Sequence, residues 1–202
     1  ELDRAGGSVA AMDFLYLPRL HRQGYVGPSL DQLETSNISP GGYVMNSIPG
    51  IHRNVIVLDF KSLYPSIIRT FNVDPLAMIK GLDEENPIIG YDGGRFSRTH
   101  SILPELITTF WAARDRAKLA NNKVLSQAIK IIMNSFYGVL GTLGCRFFDS
   151  RLVSSITKRG HEIIIQSKGY IESKGYQVIY GDTCLVYKSD AAERATPRIY
   201  SM

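Results

Sequence analysis

The stretch Asn54-Val55-Ile56-Val57-Leu58-Asp59-Phe60 constrains this chain most strongly. An apolar run this short reads as a buried strand, and it ends in a carboxylate, Asp59. Ser62-Leu63-Tyr64-Pro65-Ser66-Ile67-Ile68 follows directly, and Pro65 suits the first turn of a helix, where its missing N–H costs nothing. A strand that delivers an acid into a turn opening a helix can hold a metal beside a phosphate. The first-turn amides of Ser62, Leu63 and Tyr64 have no intrahelical acceptors and point toward any anion docked there.

Lys130-Ile131-Ile132-Met133-Asn134-Ser135-Phe136-Tyr137-Gly138 is the second informative stretch, within a segment that reads as helix from about Ser126. At about 100° per residue, Lys130, Asn134 and Tyr137 share one narrow sector, while Ile129, Ile132, Met133 and Phe136 occupy the adjoining apolar surface. Upstream, Arg114 and Lys118 stand four residues apart on another helical segment. Together these groups form a polar lining suited to a phosphate, although Asp115 and Arg116 between that pair also fit an ordinary salt-bridged helix. A third stretch, Tyr176-Gln177-Val178-Ile179-Tyr180-Gly181-Asp182-Thr183, reads as a short strand ending in Gly-Asp. Gly181 allows a tight turn and close backbone approach. If this strand neighbours the first in one sheet, Asp59 and Asp182 can share a divalent ion.

Net charge is only +4, but it is unevenly placed. Residues 98–168 carry 11 basic and 4 acidic side chains, whereas residues 1–97 carry 8 and 11. A positive middle segment is the footprint of a surface facing phosphates, and equally of a solvated helix face. No apolar run approaches the length of a membrane span, and the beginning Glu1-Leu2-Asp3-Arg4 lacks the pattern of a signal peptide. Cys145 and Cys184 are too few for a disulfide framework and read as reduced thiols of an intracellular protein. The four histidines, His21, His52, His100 and His161, show no ligand spacing, and Trp111 reads as helix packing.

The chain divides into a mostly helical start to about Gly24 and a Ser-, Pro-, Gly- and Asn-rich loop over 27–49. The strand and helix around Asp59 then run to about Thr70. An acidic Gly- and Pro-punctuated surface insertion is expected over 81–94, and two antiparallel helices near 103–120 and 125–137. A longer helix near 152–173 leads into the Gly-Asp strand.

Taken together, these residues resemble the family B DNA polymerases, and among them the bacterial DNA polymerase II group. Asp59 to Ile68 resembles motif A of the family, Lys130 to Gly138 motif B, and Tyr180 to Thr183 the start of motif C. Gly41-Gly42-Tyr43-Val44 resembles the small glycine motif that touches the template strand. The narrower likeness rests on Asp3-Arg4-Ala5-Gly6-Gly7-Ser8-Val9-Ala10-Ala11 and Cys145-Arg146-Phe147-Phe148-Asp149. The pattern of Lys130, Asn134, Ser135, Tyr137 and Gly138 disfavours other palm-containing enzymes such as reverse transcriptases.

The resemblance implies an α+β fold, with a palm of antiparallel sheet and helices and a two-helix antiparallel fingers hairpin. It divides the chain into an N-terminal palm part with motif A and the insertion (1–100), fingers (101–140) and a C-terminal palm part (141–202). Members of the family are several times longer, so the chain reads as a palm and fingers piece without thumb or exonuclease domains. The implied activity is template-directed addition of deoxynucleotides to a primer end, by phosphoryl transfer at two magnesium ions about 3.5–4 Å apart.

The resemblance makes Asp59 and Asp182 catalytic metal ligands and Tyr64 the steric gate against a ribose 2′-hydroxyl. Lys130, Arg114 and Lys118 would hold the triphosphate with Asn134 nearby, Lys130 acting catalytically, while Ser62 and Leu63 line the nucleotide site. Gly41, Gly42, Tyr43, Tyr137 and Gly138 become DNA contacts. The implied partners are primer-template DNA, deoxynucleoside triphosphates and a sliding clamp, with no membrane, in a bacterial cytoplasm at the nucleoid. The implied setting is replication or repair. The sequence departs from the family at motif C, where the usual Asp-Thr-Asp-Ser becomes Asp182-Thr183-Cys184 and then Leu185-Val186-Tyr187, which suits the second strand of a hairpin. A thiol is a poor magnesium ligand. The alternative reading is therefore a catalytically dead nucleic-acid-binding remnant.

Overall fold

Helices and a small antiparallel sheet alternate along the chain, and the computed structural model describes residues 7–29, 43–182 and 185–189. The elements run α1 (Gly7–Arg22), β1 (Val55–Asp59), α2 (Leu63–Thr70), α3 (Pro75–Lys80), β2 (Ile88–Ile89), β3 (Arg95–Phe96), α4 (Leu103–Leu119), α5 (Lys123–Leu140), α6 (Ser150–Ser173), β4 (Gln177–Asp182) and β5 (Leu185–Ser189). The chain forms two compact units, one of Glu1–Gly41 with Lys61–Gly160 and the other of Gly42–Phe60 with His161–Met202. No described helix is long and apolar enough to cross a membrane.

In the first unit, α5 turns Ile129, Met133, Phe136, Val139 and Leu140 inward. Ile129, Met133 and Phe136 belong to the apolar face read from the helical period, whose fourth member, Ile132, is partly buried. These residues share a core with Met12 and Tyr16 of α1, Ile68 of α2, Leu103 and Ile107 of α4, and Ile156 of α6. Three residues join α4 to α5, with Asn121 left-handed at φ 52°. Asn122 then caps α5 by accepting a hydrogen bond from the Leu125 amide at 3.0 Å. Asn122→Ala is expected to lower stability by about 1 kcal/mol in urea unfolding, because one first-turn amide loses its acceptor.

Asp74 is wholly buried and joins three helices. As the N-cap of α3 it accepts from the Ala77 amide at 2.9 Å. It also accepts from the Leu103 amide at the start of α4 at 2.8 Å and from the Tyr16 hydroxyl of α1 at 3.0 Å. The Tyr16 oxygen in turn accepts from the Leu76 amide at 3.1 Å. Burial pushes the Asp74 carboxyl up from its usual value, while these donors pull it down.

The acidic stretch after α3 forms the β2–β3 hairpin. It is pinned to α6 by the Tyr91 amide donating to Ser155 Oγ at 3.0 Å and by a 2.5 Å Lys158–Asp92 ion pair. Phe96 at its end is completely buried. Burial also pushes the Cys145 thiol up to about 11, so it stays protonated and inert at neutral pH.

The second unit holds a three-stranded antiparallel sheet in the order β1-β5-β4. The backbone after Tyr43 runs along the other side of β4, where Met45 N donates to Gly181 O at 2.8 Å and Ile48 N to Ile179 O at 2.9 Å. The expectation that β1 is buried is corrected. All five of its residues are exposed, Val57 by 52%. β1 is an edge strand with β5 as its sole strand neighbour among the described residues, and the part of α6 within this unit leaves an open cavity beside it.

Candidate functional site: a two-carboxylate rung and a cationic helix pair

Asp59 closes β1 and Asp182 closes β4, and both pair with Leu185 of the intervening β5. Directly paired residues of antiparallel neighbours project to one face, so the two carboxylates stand on the same side of one rung. The expectation that the strands share a sheet is met, but they are not direct neighbours. Two strand spacings place their Cα atoms about 9.5 Å apart. Asp59 is exposed and Asp182 half-buried. Among the described residues, no group of three His, Cys, Asp or Glu side chains is arranged to hold a metal. Thr183 and Cys184, which continue the Gly-Asp turn, lie outside the described residues.

A cavity of about 530 Å³ opens beside Asp59, between Leu58 and Phe60 of the strand end and Ile163, Gln166, Ser167, Tyr170 and Ile171 of α6. Val44 bridges Asp182 through the backbone, which brings the residue after Tyr43 against the acid-bearing strand. The Tyr43 ring packs 5.3 Å from that of His161, tilted by 43°. His161 Nε2 is buried without a hydrogen-bond partner among the described residues. Sequence spacing gave His161 no role, since its neighbour lies more than a hundred residues upstream. Gly41 and Gly42 lie outside the described residues.

The remaining site residues belong to the first unit. Ser62 sits in the left-handed region at φ 53° and opens α2 without a side-chain cap, leaving the first turn uncapped. Ser62 and Tyr64 are half-buried, while Leu63 is buried. Tyr64 packs on Tyr137 of α5, ring centroids 4.6 Å apart and tilted by 46°. Burial pushes the Tyr137 hydroxyl above its usual value, keeping it a neutral donor. Thus motifs 73 residues apart in the chain meet as one aromatic pair.

Lys130 and Asn134 lie on the exposed side of α5, one turn apart, and lead to Tyr137. Gly138 beyond them is open, and a Cβ built there meets nothing within 4 Å. On α4, the Arg114 Nε is buried without an acceptor among the described residues. Lys118 instead forms an exposed ion pair with Asp115 at 3.4 Å. That is the ordinary helix pairing its spacing also allowed. Trp111 packs at the margin of the core as expected, with the Arg69 guanidinium 4.8 Å and the Lys61 amine 5.8 Å from its ring centre. Those cation contacts had no signal in the local sequence.

Comparison with known proteins gives the family. The family model described as DNA polymerase family B matches residues 5–193. DNA polymerase II of Escherichia coli (strain K12) is 58% identical over 185 residues, covering 90% of this chain and 24% of the relative. The DNA polymerase of Thermococcus gorgonarius is 34% identical over 156 residues, 71% of this chain and 20% of its own length. The structure of the family B DNA polymerase from the hyperthermophilic archaeon Pyrobaculum calidifontis superimposes with a TM-score of 0.68 at 24% identity, covering 93% of this chain and 26% of that one. The chain therefore spans about a quarter or less of the length of each of these relatives. Matching motifs, a family match over nearly all its residues and 58% identity to one member show that the chain belongs to DNA polymerase family B.

Proposed function

We propose that this chain is the palm and fingers segment of a DNA-directed DNA polymerase, extending a primer 3′ end with deoxynucleoside triphosphates. The observation that carries this reading is the rung on which Asp59 and Asp182 face the same way. Two carboxylates facing the same way, with a cavity beside Asp59, fit magnesium, which is held by one or two carboxylates together with substrate phosphates and water. Bound there, magnesium would supply charge neutralisation on the phosphates and a more acidic primer hydroxyl. Asp59 and Asp182 would hold the ions.

The chain's own side chains do the rest by positioning, since phosphoryl transfer needs little covalent help. Lys130 and Arg114 neutralise the triphosphate, Asn134 lies beside it, and the Ser62 and Leu63 amides complete the anion site. Lys118 contributes once it leaves Asp115. Tyr64, seated on Tyr137, meets the sugar and excludes a 2′-hydroxyl. Gly138 lets the duplex approach, and Gly41, Gly42 and Tyr43 touch the template. In this reading 101–140 are fingers, and 1–100 and 141–202 are palm. The enzyme acts in bacterial DNA replication or repair, with a sliding clamp as partner through a part outside this chain.

A second reading, a nucleic-acid-binding remnant without turnover, is favoured by Cys184, which stands where motif C carries its second Asp. A chimaera of Escherichia coli DNA polymerase II with residues 5–182 of this chain in the matching place separates the two. Primer extension within tenfold of the parent is the expected result. A folded chimaera that binds primer-template but extends nothing overturns the enzyme reading. Returning Cys184 to that chimaera is expected to remove at least 99% of extension while leaving DNA binding intact.

A further inference from the structure

Gly160 lies inside α6, far in sequence from every motif, yet it is buried against the ring of Tyr64. A Cβ built on Gly160 comes to 3.3 Å from Tyr64 Cε1, 3.6 Å from Leu63 Cδ2 and 3.7 Å from Ile67 Cδ1. The last two are ordinary contacts, and both partners are held in the core, Leu63 at 7% and Ile67 at 1% exposure. The Tyr64 contact is the tight one, so any side chain at 160 acts first on that ring. Tyr137 of α5 packs on the same ring at a centroid distance of 4.6 Å. The ring is therefore seated between α5 and a position on α6 that has no side chain.

We propose that Gly160 is a specificity-determining position: its missing side chain sets how deeply the Tyr64 ring sits, and hence how well the site rejects a ribose. The proposal deepens the nucleotide-site reading above and rests on it for the role of Tyr64. Glycine inside a helix lowers its stability relative to alanine, so a buried helical glycine calls for a packing reason, and close approach to Tyr64 supplies one. Gly169, on the same helix, has nothing within 4 Å of a built Cβ and serves as the control. A Cβ at 160 makes the ring edge give by a few tenths of an ångström, shifting it in its seat. Discrimination at the 2′ position falls as a result.

The test uses the full chain with a fluorescent primer-template and magnesium. It reads the concentrations of matching deoxy- and ribonucleoside triphosphate needed to tighten DNA binding. Gly160→Ala is expected to lower the deoxy-over-ribo preference at least threefold, while Gly169→Ala leaves it unchanged and raises the melting temperature. Tyr64→Ala is expected to bring the preference near unity, and adding Gly160→Ala to it changes nothing further. If Tyr64→Ala collapses the preference but Gly160→Ala does not move it, the proposal is overturned and the gate reading stands. If the unsubstituted chain has no preference and Tyr64→Ala changes nothing, the gate reading fails and takes the proposal with it. Should Gly160→Ala fail to fold, recovery of folding in the Tyr64→Ala double variant supports the contact. Continued failure in that double variant overturns it.

Discussion

Asp74→Ala is expected to destabilise this chain by about 4 kcal/mol, a large part of the roughly 5–15 kcal/mol by which a typical domain is folded. The carboxylate is completely buried and accepts from Tyr16, Ala77 and Leu103, three donors on three helices. Alanine strands all three in a dry site, and each unsatisfied donor costs about 1–3 kcal/mol before relaxation. Asp74→Asn keeps the oxygen shared by Tyr16 and Leu103 but turns an amide against the Ala77 N–H. A loss of about 2 kcal/mol is expected for it. Tyr16→Phe removes one donor to Asp74 and the acceptor of the Leu76 amide, again for about 2 kcal/mol. Urea unfolding checks all three, and an alanine variant within about 1 kcal/mol of the parent contradicts the description of this joint. The same network sets a pH dependence. The folded carboxyl titrates above its unfolded value of 3.8, so the folded state holds its proton longer. This group's contribution to stability is full below 3.8 and declines as pH rises toward the folded value; Asp74→Asn flattens that decline.

The second large effect is at Asp59. In the Escherichia coli chimaera, Asp59→Asn is expected to reduce primer extension at least a thousandfold at saturating nucleotide, about 4 kcal/mol at the transition state. The amide keeps the size of the side chain and removes the charge that the proposed function sets toward the reacting phosphates, so folding and DNA binding are expected to persist. Lys130→Met is expected to behave differently. In the proposed function its charge meets the triphosphate, so its loss is expected to raise the nucleotide concentration required while the rate at saturation falls less. Steady-state kinetics of the two variants make the comparison. Equal effects on rate and nucleotide requirement in both contradict the separate roles assigned to them.

Local patterns made much of the fold legible. The apolar run ending at Asp59 is β1, the Pro65 segment is α2, and the inward face of α5 follows the helical period. The second strand of the Gly-Asp hairpin appears as β5. What escaped was short or distant. Helix α3 is six residues long and owes its start to the Asp74 cap. β2 and β3 have two residues each, too few to show any period. Tyr16 meets Asp74 across 58 residues of sequence, and Gly160 meets Tyr64 across almost a hundred. No periodicity carries such contacts. β1 misled because an apolar run has the same composition at an exposed edge as in a sheet centre. At the site, the acids and Lys130 were legible as types at strand ends and on a helix face. The different situations of Arg114 and Lys118, one with its Nε buried and without an acceptor among the described residues and one paired to Asp115, were not.

The proposed function assigns Asp59 to magnesium, and Tyr64 and Lys130 to the nucleotide. It is tested most directly by binding a fluorescent primer-template to this chain over a salt series, with magnesium and the matching nucleotide present or withheld. At least tenfold tighter binding is expected with both present, on top of a salt-dependent basal affinity, with the tightening shifted to higher nucleotide concentration in Lys130→Met and its dependence on magnesium weakened in Asp59→Asn. Binding that falls with salt but is indifferent to nucleotide, magnesium and both substitutions contradicts it, and leaves the positive surface as the chain's sole link to DNA.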